Sequence, residues 1–136
     1  MKNEEFLKGT GILMILGGAI AILTAISMLI RAIALTADMQ ASMLGAAALL
    51  MLVCGLEAIV AGYAGAKHST NHDKIVDFDA WGVIVSVLGL GGTLLEAAAV
   101  GSVNVVNIVF SILIPVLFII GANANRETKV SPLPAK

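Results

Sequence analysis

No charged side chain occurs from residue 9 to residue 30. As a helix, those 22 residues rise about 33 Å at 1.5 Å per residue, enough to cross about 30 Å of hydrocarbon. Three further runs repeat the pattern: 41–66 is broken only by Glu57, 81–101 only by Glu96, and 105–122 is unbroken. Chain in hydrocarbon must satisfy its own backbone N–H and C=O groups, and helices do so. The expected fold is therefore an all-α integral membrane protein, a four-transmembrane-helix bundle. It forms one domain over 1–122, with helices at about 9–35, 41–66, 79–101 and 105–122.

Composition agrees with that reading. Charged residues make up 12% of the chain and hydrophobic ones 59%, against about 25% charged in soluble domains. A net charge of -1 with no basic patch argues against nucleic acid as a partner. The first apolar run exceeds the 7–15 residues of a signal peptide, so it is read as a retained helix. Residues 123–136 are polar and contain Pro132 and Pro134, which disfavour helix. They are expected to form a cytoplasmic tail. Cys54 is the single cysteine, inside an apolar run, and reads as a small buried side chain.

Lys and Arg counts set the expected orientation. Lys2, Lys8, Lys67, Lys74, Arg126, Lys129 and Lys136 share one side, and Arg31 stands alone on the other. Both termini are thus expected in the cytoplasm (N-in/C-in), in the cell (plasma) membrane. Tyr63, Phe78 and Trp81 flank the long loop, as an interfacial aromatic belt would.

Helices in lipid associate through close backbone approach and polar contacts. In helix 1, Gly11, Gly18, Ala25 and Ala32 recur every seven residues beside a second row of Thr10, Gly17, Thr24 and Arg31. Helix 2 carries Ala41, Ala48, Gly55 and Gly62 at the same spacing, and helix 3 carries Gly82, Gly89 and Glu96. A seven-residue repeat keeps one stripe in contact along a left-handed crossing, so these glycines read as packing positions. Helix 4 places Asn107, Ser111 and Pro115 at four-residue steps on one face. Pro115 has no N–H for the Ser111 carbonyl. The break is either a packing kink or part of a polar lining.

Two carboxyls lie within apolar runs. Glu57 falls roughly 5 Å inward of its helix midpoint, and lipid favours the neutral form of a carboxyl. It reads either as the proton site of a transporter or as a neutral group hydrogen-bonded to a neighbouring helix. Glu96 falls roughly 7 Å outward of its midpoint, within reach of Arg31, and the two are expected to form a structural ion pair. Glu57 lies about 200° around helix 2 from Gly55, so that helix has two faces that avoid lipid. The second is best buried by another copy. A homo-oligomer is expected, a dimer with helix 2 at the contact.

His68 and His72, with Asp73 following, would share a helical face if helix 2 ran past Lys67; they are a weak metal candidate beside a solvated loop. No nucleophile constellation, phosphate-binding loop or zinc-protease motif is present, so no enzyme and no cofactor is expected. Size, four spans and a membrane Glu invite comparison with small multidrug resistance transporters. Those carry the Glu in their first helix with aromatics nearby, whereas the first run here has no carboxyl, and no family is identified by motif. Two functions stand. One is a small, oligomeric, proton-linked transporter or permeation protein using Glu57, Asn107, Ser111 and the Pro115 break. The other is a non-catalytic accessory or assembly subunit binding the helices of a larger membrane complex through Gly/Ala faces.

Overall fold

The computed structural model describes residues 2–35, 38–69 and 78–130. Four helices account for nearly all of them: α1 Lys2–Ala34, α2 Asp38–Lys67, α3 Phe78–Val100 and α4 Val105–Val130. No strand occurs among the described residues. Each helix is long and apolar enough to cross a membrane. Local chemistry sets the ends of two of them. α3 stops where Gly101 adopts φ +78°, a left-handed conformation that costs glycine little, while its N–H donates to the Ala97 carbonyl at 2.8 Å. α4 starts at Asn104, whose side-chain oxygen accepts the Asn107 N–H at 3.2 Å.

Two boundaries depart from the sequence expectation. α1 begins at Lys2 rather than near residue 9, and α4 continues to Val130 rather than ending at 122. Hydropathy falls at both places, but the buried periodicity does not. Leu7 heads the row Leu7, Met14, Ala21 and Met28, all buried. Phe118, Ala122 and Asn125 extend the row that starts at Ser111 and Pro115, and all three are 0% exposed. Pro132 and Pro134 lie outside the described residues.

The helices form a ring in which α1 packs on α2 and α4, and α3 on α2 and α4, with the diagonals barely touching. Neighbours are antiparallel. One core cluster gathers Leu7, Met14, Phe78 and Phe118, and the other gathers Ala25, Met28, Leu44 and Ala48. Phe78 is 5% exposed with its ring centroid 5.7 Å from that of Phe118. It is a core residue, not the belt residue expected. Tyr63 is exposed, and Lys67 Nζ sits 5.5 Å from its ring centroid.

Between α1 and α2 the two small-residue rows meet in register. A Cβ added at Gly18 would stand 2.6 Å from the Gly55 carbonyl oxygen, and one at Gly55 would stand 2.7 Å from that of Gly18. Gly11 and Gly62 are paired in the same way. Further along, Ala25 and Ala48 are buried in one cluster and Ala32 packs against it. The second row of α1 faces elsewhere: Gly17 meets Ile114 and Thr10 meets Gly121, both on α4. The outside of the bundle is apolar, with Leu23, Leu49, Val87 and Val106 all well exposed.

Candidate functional site

The α1–α4 seam is closed at one end and open at the other. At the closed end the Asn3 side chain donates to the Ala124 carbonyl at 3.1 Å, and Gly121 admits Phe6, Leu7 and Thr10. Beyond Gly17 and Ile114 the seam widens into a half-open cavity of about 50 Å³, room for about four water-sized groups. Ile20 and Phe110 form its rim, each about half exposed, and Cys54 and Val85 lie among its inner residues. No charged side chain lines it.

Three of the predicted residues come together there. Asn107, Ser111 and Pro115 all line the cavity, joined by Thr24 from the second row of α1. Helical spacing makes this possible, because four-residue steps hold the α4 residues to one face. The Asn107 side-chain amide nitrogen is buried without a hydrogen-bond partner, an arrangement that costs about 1–3 kcal/mol. Thr24 is satisfied through its hydroxyl, which donates to the Ile20 carbonyl at 2.9 Å. The Ser111 hydroxyl lies against Gly89, where an added Cβ would come within 2.8 Å of it. Cys54 bridges inner helices, its thiol donating to the Val85 carbonyl at 3.4 Å.

Glu57 is not among the lining residues. Leu50, one seven-residue step earlier on the same row, touches Gly91 of α3, which puts Glu57 on the α3-side edge of α2. It is half-buried, with exposed Val53, Leu56 and Val60 around it. It makes no ion pair or hydrogen bond with any described residue. The expected grouping of Glu57 with the α4 polar face therefore does not form, because Asn107 and Ser111 meet α1 and α3 instead.

Arg31 and Glu96 are brought together. Arg31 Nη1 lies 3.3 Å from Glu96 Oε1, with the side chains 46% and 13% exposed. The second Glu96 oxygen is buried without a partner. The pair joins α1 to α3 across a diagonal of the ring, two helical turns beyond Thr24 on the same α1 row.

Gly82 and Gly89 face α4, against Ile119 and Ser111, while Gly92 faces Met51 and Ala47 of α2. α2 ends at Lys67, and His68 and Ser69 form a turn. The helical face proposed for two imidazoles is thus interrupted at His68, and His72 and Asp73 lie outside the described residues. Sequence reasoning missed Asn125. Its amide donates to the Ser69 carbonyl at 2.6 Å and ties the end of α4 to the turn after α2. The signal was present in the spacing of Phe118, Ala122 and Asn125. No protein-family model, curated protein or solved structure matches this chain.

Proposed function

We propose that this chain is a multi-pass protein of the plasma membrane, with both termini in the cytoplasm, and that it is a small transport protein with its solute site in the α1–α4 cavity. The membrane assignment rests on four long apolar helices whose outward faces carry Leu, Ile and Val. A soluble monomer rarely exposes apolar area on that scale. One observation carries the transport reading: a half-open cavity lined by no charged side chain is bordered by the polar residues Thr24, Asn107 and Ser111. Polar side chains on membrane helices either line solute paths or bond to neighbouring helices, and here three of them border open space. The uncharged lining fits an uncharged solute.

Glu57 enters this reading as part of a subunit contact. A carboxyl about 7 Å from the middle of α2, on an otherwise apolar outer face, is best covered by a second copy of the chain. In this proposal transport is proton-linked, and the linkage works from that contact.

Proton-linked movement of an uncharged solute transfers protons, so an internal pH dye in proteoliposomes reads it without a labelled solute. Proton flux that requires the protein, and that is lost when Ala21→Leu fills the cavity, supports the proposal. Loss in Glu57→Gln as well establishes proton linkage through the contact. Cysteines placed at Val53 and Val60 in a Cys54→Ala background test the dimer; an absence of crosslinked pairs in native membranes would sink it.

The alternative is an accessory subunit of a larger membrane complex, and the same open face around Glu57 favours it. Its Gly/Ala surfaces, however, are occupied within the bundle, where Gly11, Gly18, Gly55 and Gly62 contact one another. No proton flux, together with stable co-purification in a larger assembly, would select this reading.

A further inference from the structure

Resting on the membrane and subunit-contact reading above, we infer that Glu57 lies on the two-fold axis of a homodimer. There it bonds to Glu57 of a second copy, and the two carboxyls with a shared proton make one site.

The two carboxyls within the spans are treated differently by the fold. Glu96 is held by Arg31 at 3.3 Å. Glu57 has no ion pair or hydrogen bond with any described residue, and neither of its oxygens is sealed inside the bundle. A partner can therefore reach it from outside. Lipid does not supply that partner. Helical side chains tilt toward the helix N-terminus, and Glu57 stands 19 positions after Asp38 and ten before Lys67. Its carboxyl thus leans toward the middle of the span, away from the nearer headgroups. Leu50 touches Gly91 of α3, so antiparallel packing sets Ile84 beside Glu57, and Ile84 is exposed hydrocarbon. Other titratable groups are turned elsewhere. Cys54 faces Val85 inside the bundle, and Tyr63 lies with Lys67 near the end of α2. Asp79 shares the side of Gly82 that faces α4, and α1 carries no charge between Lys8 and Arg31.

The surrounding face fits a second copy. Leu50, Glu57 and Ala64 form one seven-residue row of α2, beside the row Ala46, Val53 and Val60. The two rows have the three- and four-residue steps of an a/d seam. Ala46, Val53 and Val60 are exposed, and Glu57 is the single ionisable group of the seam. One polar seam position fixes register and partner number. Copies in one membrane share one orientation, so a two-fold contact brings each seam residue against its own counterpart at the same depth. A carboxyl that keeps its proton both donates and accepts, which makes it complementary to itself. Two facing carboxylates offer no donor and repel. The site is therefore incomplete in one chain and holds a proton between two.

The test uses the full chain in native membranes, in a Cys54→Ala background, with copper phenanthroline as oxidant. A disulfide needs Cα atoms within about 7 Å. Val53→Cys, Glu57→Cys and Val60→Cys are each expected to give crosslinked dimers. Leu56→Cys, about 100° around the helix from Glu57, should give severalfold less. Dimers through Val53→Cys, Val60→Cys and Leu56→Cys but not through Glu57→Cys overturn the inference and leave the subunit contact standing. Dimers through none of the four remove both. A second readout needs no cysteine: two differently tagged copies are co-expressed and captured together. Wild type and Glu57→Lys should pair on the order of tenfold more often than random assortment predicts, because a carboxylate and an ammonium attract where two ammonium groups repel. Glu57→Gln, whose amide also donates and accepts, should still pair with itself, and Glu57→Leu should lose pairing severalfold. Random assortment of wild type with Glu57→Lys overturns the inference even where Val53→Cys and Val60→Cys crosslink.

Discussion

Helix α1 carries two rows of residues at the same seven-residue spacing, and they meet their neighbours differently. The row Gly11, Gly18, Ala25 and Ala32 meets a matching small row on α2, and the two backbones close on each other. The row Thr10, Gly17 and Thr24 faces α4, which answers with glycine only at Gly121 and with Ile114 and Asn107 further along, while Arg31 at the end of the row reaches α3. There the seam opens. Spacing alone thus specifies which stripe is used, while the size of the opposing side chain decides whether the seam seals or leaves a cavity.

The largest effect is expected where sealing is tightest. Gly55→Leu places a branched side chain against the Gly18 carbonyl, where even a Cβ would stand 2.7 Å away. Backbone cannot give way as a side chain can. A loss of about 3 kcal/mol or more is expected, at or beyond the top of the usual overpacking range, read as lost folded fraction in a detergent-to-SDS titration. Tolerance of this substitution would break the contrast between the seams.

Next comes the diagonal ion pair. Arg31→Met leaves Glu96 without its cation; with Arg31 half exposed, a cost of roughly 1–3 kcal/mol is expected, between the surface and buried limits. Most should return in Arg31→Met combined with Glu96→Gln, and a double-mutant cycle by the same titration measures the return.

The open seam should behave in the opposite sense. Asn107→Leu removes a buried donor that has no partner, so stability should be unchanged or rise by about 1 kcal/mol. A destabilised Asn107→Leu would show that the amide serves the fold. The smallest effect is expected at Gly45, where an added Cβ meets nothing within 4 Å. Gly45→Ala should raise stability by about 0.5–1 kcal/mol from helix propensity, a benchmark against which Gly55 shows what contact adds.

Much of the closed seam was legible in the chain. The rows of α1 and α2 are visible as letters seven apart, and Arg31 is the one cation at its end of the spans, with Glu96 the span carboxyl nearest that end. Helix ends were less legible because loss of hydropathy was read as loss of helix. Leu7 and Asn125 keep the buried period where polarity rises, and period, not polarity, decides burial. The placement of Glu57 exposed a different limit. Angle around α2 correctly separated it from Gly55, yet one helix's angles do not say where a third and fourth helix will stand. The cavity residues of α4 could be named as a shared face, but their opening arises from what α1 lacks opposite them.

The matched rows of α1 and α2 also bear on biogenesis. The two helices are consecutive, and a connection of only residues 35–37 separates them, so both halves of the interface leave the ribosome before α3 does. In the membrane reading proposed above the hairpin can zip first, and cysteines placed at Ala25 and Ala48 in a Cys54→Ala background should become shielded from thiol reagents at chain lengths that keep α3 inside the ribosome. α3 and α4 would then dock on a finished platform.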